Sequence, residues 1–197
     1  MPLPEPLRNA LQINGGTIAS SEANALGVSN ERLRLLVKSG DLERVAHGIY
    51  VIPGEFLDRM HIVQKRRPKM IYSHETALYL HGLTDRDPIA YTVTVPSGYN
   101  AKAILADGLF VYFVKRELHG MGAIPMQTTF SHTVIAYDLE RTVCDCIRNR
   151  NQMDIALVTE AVKRYAGHPD KNLNLLMKMA EAFHVAKPLR SYLEVLL

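Results

Sequence analysis

The sequence has few of the features that support a disulfide framework, a membrane span or an export signal. Its 197 residues include two cysteines, Cys144 and Cys146, and no tryptophan. Cysteines one residue apart cannot join distant elements, which excludes a disulfide-stabilised secreted domain. The apolar runs are short and interrupted by charge, and the N-terminal residues lack the apolar core of a signal peptide. These absences predict a soluble, unexported protein without a membrane partner in a reducing cytoplasm.

Motifs of the common catalytic and metal sites are also absent. The sequence contains no phosphate-binding loop, no dinucleotide-binding glycine motif, no HExxH and no GxSxG. His74 and His81 would lie about 10 Å apart along a helix, too far to share one zinc ion. We expect Ser73 to cap a helix rather than to form a nucleophile and base with His74, because adjacent helical side chains diverge. We therefore predict no catalytic residue, no metal and no cofactor.

The formal net charge of +3 comes entirely from the first part of the chain. Residues 1–72 carry ten Lys and Arg against seven Asp and Glu, whereas residues 73–197 carry thirteen of each. Clustered cations gain binding free energy when they release counterions from a phosphate backbone. The asymmetry indicates a polyanionic partner for the N-terminal part.

The N-terminal part has the pattern of three short helices. The first covers residues 5–13, and the second begins at Ser20 or Ser21, whose hydroxyl we expect to cap it. After the turn at residues 27–29, Ser29 is the expected cap of a third helix that ends at Gly40. A helix, a short turn and a second helix form the helix-turn-helix motif.

The third predicted helix has one apolar stripe and one polar face. Leu33, Leu36 and Val37 stand at i, i+3 and i+4. The opposite face carries Glu31, Arg34, Leu35 and Lys38, with Arg32 on a flank. Two β-prone runs follow, Leu42 to Ala46 and Ile49 to Ile52, joined at His47-Gly48 as in a β-hairpin. Three helices followed by a hairpin are the order of a winged helix-turn-helix.

A basic cluster around Pro68 indicates a joint between two domains. The cluster comprises Lys65, Arg66, Arg67 and Lys69. Proline disfavours helix at the residue before it. We place the boundary near residue 70, with a DNA-binding domain over 1–70 and a second domain over 71–197. The cluster is either a further phosphate-binding patch or a solvated joint.

The second part of the sequence indicates mixed α and β structure. Strands are expected over 89–95 and 133–137, and a hairpin over 104–114 turning at Asp107-Gly108. Helices are expected after Ser73 and in the C-terminal part, at 138–148, 153–166, 171–184 and 187–196. The fold class predicted for the whole chain is α+β, a winged helix-turn-helix followed by a mixed α/β domain that ends in several helices.

The densest charged cluster of the second part contains Asp138, Glu140, Arg141 and Asp145. Two carboxylates here could serve as acid and base. We expect Glu140 and Arg141, at a helix start, to be dipole partners and surface ions. Caps and buried ion pairs that fix the fold are a further alternative for this cluster.

Six runs of the sequence together resemble the AbiEi antitoxins of bacterial type IV toxin-antitoxin systems. They are GTIASSEANALGVSNERLRLLVKSGDLERVAHGIYVIP, QKRRPKMIYSHETALYLHGLTDRDP, VTVPSGYN, YDLERTVCD, LLMKMAEAFHV and LRSYLEVLL. The resemblance covers nearly the whole chain. It implies an N-terminal winged helix that binds inverted repeats in the promoter of its own operon, cooperatively and with DNA bending, and represses that operon. It also implies a C-terminal domain that counteracts a cognate nucleotidyltransferase-like AbiEii toxin, with direct contact left open, in abortive phage resistance.

Applied to this sequence, the resemblance gives a concrete DNA-binding hypothesis. Arg34 and Lys38, flanked by Arg32, would enter the major groove or bind its phosphates. Arg44 and His47 would reach the adjacent backbone or minor groove, and a histidine at the tip would make that contact dependent on pH. Two other function classes stay open: a DNA-binding transcriptional regulator whose C-terminal domain only dimerises or senses a ligand, and a protein whose C-terminal domain is an enzyme.

Overall fold

The computed structural model describes residues 2–196, which divide into two compact units. The first unit runs to Pro68 and also includes Gln127–Val134. The second unit comprises Lys69–Met126 and the chain from Ile135 onward. The first unit is thus built from two separate stretches of sequence.

In the part of the chain that the structure describes, the first unit contains four helices and three short strands. In chain order they are α1 (Glu5–Ile13), β1 (Thr17–Ala19), α2 (Ser20–Ala25), α3 (Asn30–Lys38), β2 (Glu43–Ala46), β3 (Ile49–Val51) and α4 (Arg59–Arg66). The strands form an antiparallel sheet in the order β1-β3-β2. The predicted helices α1, α2 and α3 and the hairpin β2–β3 are confirmed, whereas β1 and α4 were not predicted.

The core of the first unit is formed by apolar side chains from its helices and sheet. Leu7 and Leu11 of α1 and Leu33 and Leu36 of α3 are fully buried. They pack in one cluster with Ile18 and with residues of the turns and strands. The apolar stripe of α3 therefore faces the core, as predicted, and its polar face is left to solvent.

The expected hydroxyl cap of α2 is wrong. Its N-cap residue is Ala19, and no side chain hydrogen bond caps the helix in the way we expected of Ser20 or Ser21. Instead, the Glu22 carboxylate accepts a hydrogen bond of 2.8 Å from the Ala19 backbone N–H. A carboxylate in the first turn satisfies an otherwise unpaired donor, which is the second half of a capping box.

The second unit consists of a five-stranded sheet and seven helices within the described chain. Its elements are β4 (Ile71–Tyr72), α5 (His74–Leu80), β5 (Thr92–Pro96), α6 (Lys102–Ala106), β6 (Phe110–Val114), α7 (Arg116–His119), β7 (Ala123–Gln127), β8 (Thr133–Tyr137), α8 (Leu139–Arg148), α9 (Ile155–Gly167), α10 (Leu173–Ala182) and α11 (Ala186–Leu196). The strand order is β6-β5-β4-β8-β7.

The hairpin predicted over 104–114 is wrong. Its first arm is part of α6, and β6 pairs in parallel with β5, in register from Thr92 opposite Phe110 to Pro96 opposite Val114. Parallel neighbours require a crossover connection, which α6 supplies, so Asp107-Gly108 ends a helix rather than turning a hairpin. The predicted strand over 89–95 begins only at Thr92.

The four C-terminal helices form the main apolar core of the second unit. Val143 and Ile147 of α8 pack with Val158 of α9, Leu176 of α10 and Leu189 near the start of α11. Each of these helices begins and ends within two residues of its predicted bounds. Mixed strands followed by C-terminal helices confirm the predicted α+β class. Within residues 2–196, no helix has the length and apolar character that a membrane span needs.

Candidate nucleic-acid interface

The helix-turn-helix of the first unit is α2, a short turn and α3. Gly27 in the turn has φ of 79°, a conformation that glycine adopts without strain. The Ser29 hydroxyl accepts a hydrogen bond of 3.2 Å from the Arg32 backbone N–H, which confirms the predicted cap of α3. The turn and the cap fix the direction in which α3 leaves α2.

The polar face of α3 carries two exposed cationic side chains. Arg34 and Lys38 are exposed, and Arg32 is half-buried on the flank. The Arg34 guanidinium lies 3.9 Å from the Glu31 carboxylate, with the two side chains 79% and 76% exposed. An ion pair this exposed contributes little free energy, so a phosphate or a base can replace Glu31 as the partner of Arg34.

The hairpin β2–β3 forms the wing, and Gly48 at its tip has φ of 71°. Arg44 and His47 are both exposed there. The Arg44 guanidinium donates a 3.1 Å hydrogen bond to His47 Nδ1 and a 3.4 Å bond to the Ala46 carbonyl. Because Arg44 can only donate, His47 accepts at Nδ1 and presents its Nε2–H outward. The two side chains therefore form one donor-rich group at the tip.

The basic cluster at residues 65–69 does not form one continuous exposed patch. The Lys65 ammonium lies 2.8 Å from the Glu22 carboxylate, and the Lys65 side chain is only 12% exposed. Arg66 and Arg67 are half-buried. Lys69 is exposed and belongs to the second unit. Lys65 therefore joins α4 to α2, and its charge is already compensated.

Two further residues suited to base contacts were missed by sequence reasoning. Asn30, the first residue of α3, is exposed, and Leu35 on the polar face is 43% exposed. An asparagine amide can bind adenine in the major groove, and an apolar side chain can contact the thymine methyl group. The signal was available, because the first turn of a recognition helix is the part that reaches base edges.

The segment Gln127–Val134 is distant in sequence from the rest of the first unit but makes buried contacts with it. The Asp58 carboxylate, 3% exposed, accepts hydrogen bonds from the Thr128 hydroxyl and from the His61 backbone N–H, and lies 3.2 Å from His132 Nδ1. His61 Nδ1 donates to the Thr133 carbonyl at 3.0 Å, and burial lowers the pKa of this ring. These contacts fix the start of α4 beside β1 and β3.

The second unit contains a buried serine and histidine pair that sequence reasoning excluded. His74 has φ of 48°, and this left-handed backbone brings its ring back to Ser73, with Nδ1 2.9 Å from Oγ. The expectation that the two side chains diverge is therefore wrong. The expected hydroxyl cap is wrong as well, because Ser73 Oγ accepts from Thr94 and makes no cap hydrogen bond.

The protonation pattern of this pair is unsuited to nucleophilic catalysis. The Asn149 amide nitrogen donates to the Asp145 carbonyl and lies 2.9 Å from His74 Nε2, so Nε2 accepts and Nδ1 carries the proton. His74 therefore donates to Ser73 rather than acting as its base. Ser73 and His74 are 0% and 1% exposed, and burial lowers the pKa of His74 to about 3.

Arg141 and its neighbours are buried, so the expectation of surface ions is wrong. The Arg141 side chain is 0% exposed and donates to the Asp145 carboxylate at 2.9 Å and to two backbone carbonyls, those of Leu118 and Met121. Its guanidinium lies 4.0 Å and 3.9 Å from the ring centroids of Tyr137 and Phe183. This arrangement ties the start of α8 to the loop after α7 and to the end of α10.

The carboxylates of the same cluster are also in structural roles. Asp138 accepts from the Arg141 backbone N–H at 2.7 Å and caps α8. Glu140 accepts from the Tyr165 hydroxyl at 3.0 Å and from the Asn172 backbone N–H at 2.8 Å. Burial raises the pKa of Asp145 to about 6, against the stabilising effect of Arg141. The cluster therefore consists of helix caps and buried ion pairs, which is one of the alternatives that the sequence left open.

Groups of the type that hold a metal ion are not assembled in residues 2–196. Cys144 and Cys146 are buried, and burial raises the pKa of the Cys144 thiol to about 12. His81 donates to the Tyr137 carbonyl at 2.7 Å, and its pKa is lowered by burial. These groups are packed into the second unit as neutral residues.

Comparison with known proteins adds to this geometry. A family model described as transcriptional regulator, AbiEi antitoxin, matches residues 5–53. The chain is similar in fold to a solved structure, the crystal structure of RV2827C protein from Mycobacterium tuberculosis, with a TM-score of 0.58 and 13% identity over 97% of this chain and 78% of that chain. At this identity the similarity shows the fold alone. No curated protein matches the sequence.

Proposed function

We propose that the chain is a transcriptional regulator of the AbiEi antitoxin family, which the family model matching residues 5–53 supports, and that it represses its own operon by binding inverted repeats in the promoter. The observation that carries the proposal is the polar face of α3, where Arg34 and Lys38 extend into solvent beside a capped helix start and a cationic wing. Of the two units, this one has the larger net positive charge, +2 against +1.

The cations of α3 and of the wing each have a role in the proposed complex. Arg34 and Lys38 enter the major groove, where a guanidinium binds guanine or a phosphate, and Arg32 contacts the backbone at the groove edge. Arg44 and His47 bind the adjacent backbone or minor groove from the wing.

The basic cluster at residues 65–69 contributes less to this proposal. Arg66 and Arg67 are retained as phosphate contacts. Lys65 is left out because its ammonium is paired with Glu22. Lys69 is left out because it lies in the second unit, where a different role is argued below.

A gel shift with the DNA upstream of the gene tests the proposal. The wild type is compared with the double variant Arg34→Ala/Lys38→Ala at two salt concentrations. Loss of two groove or phosphate contacts should weaken binding by about tenfold to a hundredfold. If both side chains bind phosphate, the plot of the logarithm of the association constant against the logarithm of the salt concentration should become less steep by about 2. If they contact bases, the preference for the promoter over random DNA should disappear.

The matched control removes two exposed cations from the second unit, Lys163→Ala/Lys178→Ala. It has the same net charge as the first double variant and should retain wild-type affinity to within about threefold. Equal losses in the two double variants would show that only net charge matters. Binding of the wild type to random DNA as tightly as to the promoter would overturn autoregulation.

Inverted repeats imply two copies of the chain on one operator. A two-fold related pair of repeats is bound by two copies, and cooperativity appears as a steep titration with few singly bound complexes. We propose cooperative binding of this kind. An operator in which one repeat is scrambled should bind one copy with weaker affinity, and unchanged affinity for the intact repeat would argue against cooperativity.

We further propose that the second unit counteracts an AbiEii-like toxin in a type IV system of abortive phage resistance, in the bacterial cytoplasm. The family model that matches residues 5–53, described as an AbiEi antitoxin, supports this proposal. Co-expression with the neighbouring toxin gene, from an independent promoter, tests it. The full chain and the Arg34→Ala/Lys38→Ala variant should restore growth equally, because repression and antitoxicity are assigned to different units. Growth arrest with both proteins would leave a regulator without antitoxin activity.

A further inference from the structure

A pocket in the second unit lies at the carboxyl ends of the two parallel strands. It has a volume of about 470 Å³ and is lined by residues from the loop after β5 and from the segment after β6. In sheets with parallel strands, ligands bind at the carboxyl ends, where loops diverge. A volume in this range accommodates a small organic ligand.

Two cations face this pocket without a carboxylate partner in the described chain. Lys69 and Arg116 both line it and are exposed, and none of its lining residues is acidic. Arg116 Nε donates to the Ser97 carbonyl at 3.3 Å. That bond fixes the stem of the guanidinium and leaves its terminal nitrogens as donors, a geometry that suits a phosphate group.

The loop after β5 supplies a ring and an amide to the same pocket. Gly98 has φ of 84°, and the Tyr99 N–H donates to the Pro96 carbonyl at 3.0 Å, so this tight turn sets Tyr99 at the pocket. Asn100 Oδ1 accepts from the Lys102 N–H at 3.2 Å, which leaves the Asn100 amide N–H groups as donors. An aromatic face and an amide are the groups that bind a nucleobase by stacking and hydrogen bonding.

His119 lines the pocket but does not contribute to its positive charge. Its Nε2 lies 3.3 Å from the Thr94 carbonyl, to which it donates, and burial lowers its pKa. The ring is therefore neutral at neutral pH. The positive potential of the pocket comes from Lys69 and Arg116.

We propose that this pocket binds a free mononucleotide, with its phosphates on Lys69 and Arg116 and its base against Tyr99. The volume suits one nucleotide rather than a strand, and the ring beside the cations suits a nucleotide rather than inorganic phosphate. The proposal does not depend on DNA binding. It assigns a ligand class to the second unit, which would then sense nucleotides in addition to its other roles.

Isothermal titration of the full chain with ATP, GTP, CTP and UTP tests the site, with inorganic phosphate and a short single-stranded oligonucleotide as competing probes. Lys69→Gln and Arg116→Gln should each weaken nucleotide binding by about tenfold, the loss of one charge-assisted contact. Tyr99→Leu should weaken nucleotide binding by about tenfold and leave the affinity for inorganic phosphate unchanged, because stacking involves only the base. Lys178→Gln, an exposed cation of α10, is the matched control and should bind as the wild type does.

Three outcomes would overturn the proposal. They are the absence of nucleotide binding at about 1 mM, nucleotide binding that none of the three pocket variants weakens, and tighter binding of the oligonucleotide or of inorganic phosphate than of any mononucleotide. The Arg34→Ala/Lys38→Ala variant should bind nucleotides normally even though its DNA binding should be weakened. A failure of the proposed operator binding and a failure of this site are thereby distinguished.

Discussion

Arg34 in the first unit and Arg141 in the second show two opposite uses of one residue type. Both lie on short amphipathic helices near an acidic residue, yet the Arg34 side chain is 79% exposed and that of Arg141 is 0% exposed. Arg34 has one weak partner, at 3.9 Å, whereas Arg141 binds a carboxylate and two carbonyls between two aromatic rings. An exposed arginine is available to a ligand, and a buried arginine holds the fold together.

Two serines at helix starts show the same contrast. Ser29 in the first unit caps α3 through its hydroxyl. Ser73 occupies the N-cap position of α5, but its hydroxyl is bound to His74 and Thr94 in the interior. A sequence motif can therefore predict which residue stands at the start of a helix. The surrounding packing decides which groups the side chain of that residue hydrogen-bonds.

The largest effect is expected from Arg141→Ala. Removing one partner of a buried ion pair leaves the Asp145 carboxylate and two carbonyls without their donor, at a cost of about 3 to 5 kcal/mol in the free energy of unfolding. Soluble yield should fall, and chemical denaturation should show the loss directly. Arg148→Ala, an exposed position on the same helix, should stay within about 0.5 kcal/mol of the wild type. An Arg141→Ala protein that unfolds like the wild type but has lost antitoxicity would give Arg141 a functional role instead.

A smaller effect is expected from the pH dependence of His74. Its pKa in the folded state, about 3, lies below the unfolded value of 6.5. Its contribution to stability is therefore complete above the unfolded pKa and is lost as the pH falls toward the folded pKa. The difference in unfolding free energy between the wild type and His74→Asn should shrink by about 2 kcal/mol between about pH 7.5 and pH 5.

Asparagine is the suitable replacement because it tolerates the positive φ at position 74 and does not titrate. A difference between His74→Asn and the wild type that stays constant at the two pH values would show that His74 titrates equally in the folded and unfolded states.

The smallest effect is expected from the helix cap of the first unit. Ser29→Ala removes the acceptor of the Arg32 N–H and should lower the free energy of unfolding by about 1 kcal/mol. Ser20→Ala, at a helix start that Glu22 caps instead, should change it by less than about 0.5 kcal/mol. Equal effects of the two substitutions, measured by urea denaturation, would contradict the assigned caps.

The elements that rest on local patterns could be predicted from the sequence. Helix α3 has a regular apolar stripe, a serine cap and a terminal glycine, and all three signals lie within twelve residues of chain. The burial of Arg141 depends on Leu118, Met121 and Phe183, which are distant in sequence, and no local pattern reports them. The parallel pairing of β5 and β6 was missed because Asp107-Gly108 fits a helix end as well as a hairpin turn.

The candidate site likewise contains some residues that local sequence patterns predict and others that they do not. The cations of α3 and of the wing follow from helical spacing and a two-residue hairpin turn. The pairing of Lys65 with Glu22 required the position of α4, an element whose apolar residues are too few to show a clear helical period. The pocket beside Tyr99 required the order of strands in the sheet.

The segment Gln127–Val134 has a consequence for the order in which the chain folds during synthesis. A ribosome that has made the first 68 residues has not yet made Thr128 or His132, the partners of Asp58. The first unit therefore reaches its complete structure only after about two thirds of the protein has been translated, so a nascent chain released early lacks part of it. An interrupted translation product would consequently lack the side chains that bind Asp58 at the start of α4, so the first unit is complete only once most of the polypeptide has been made.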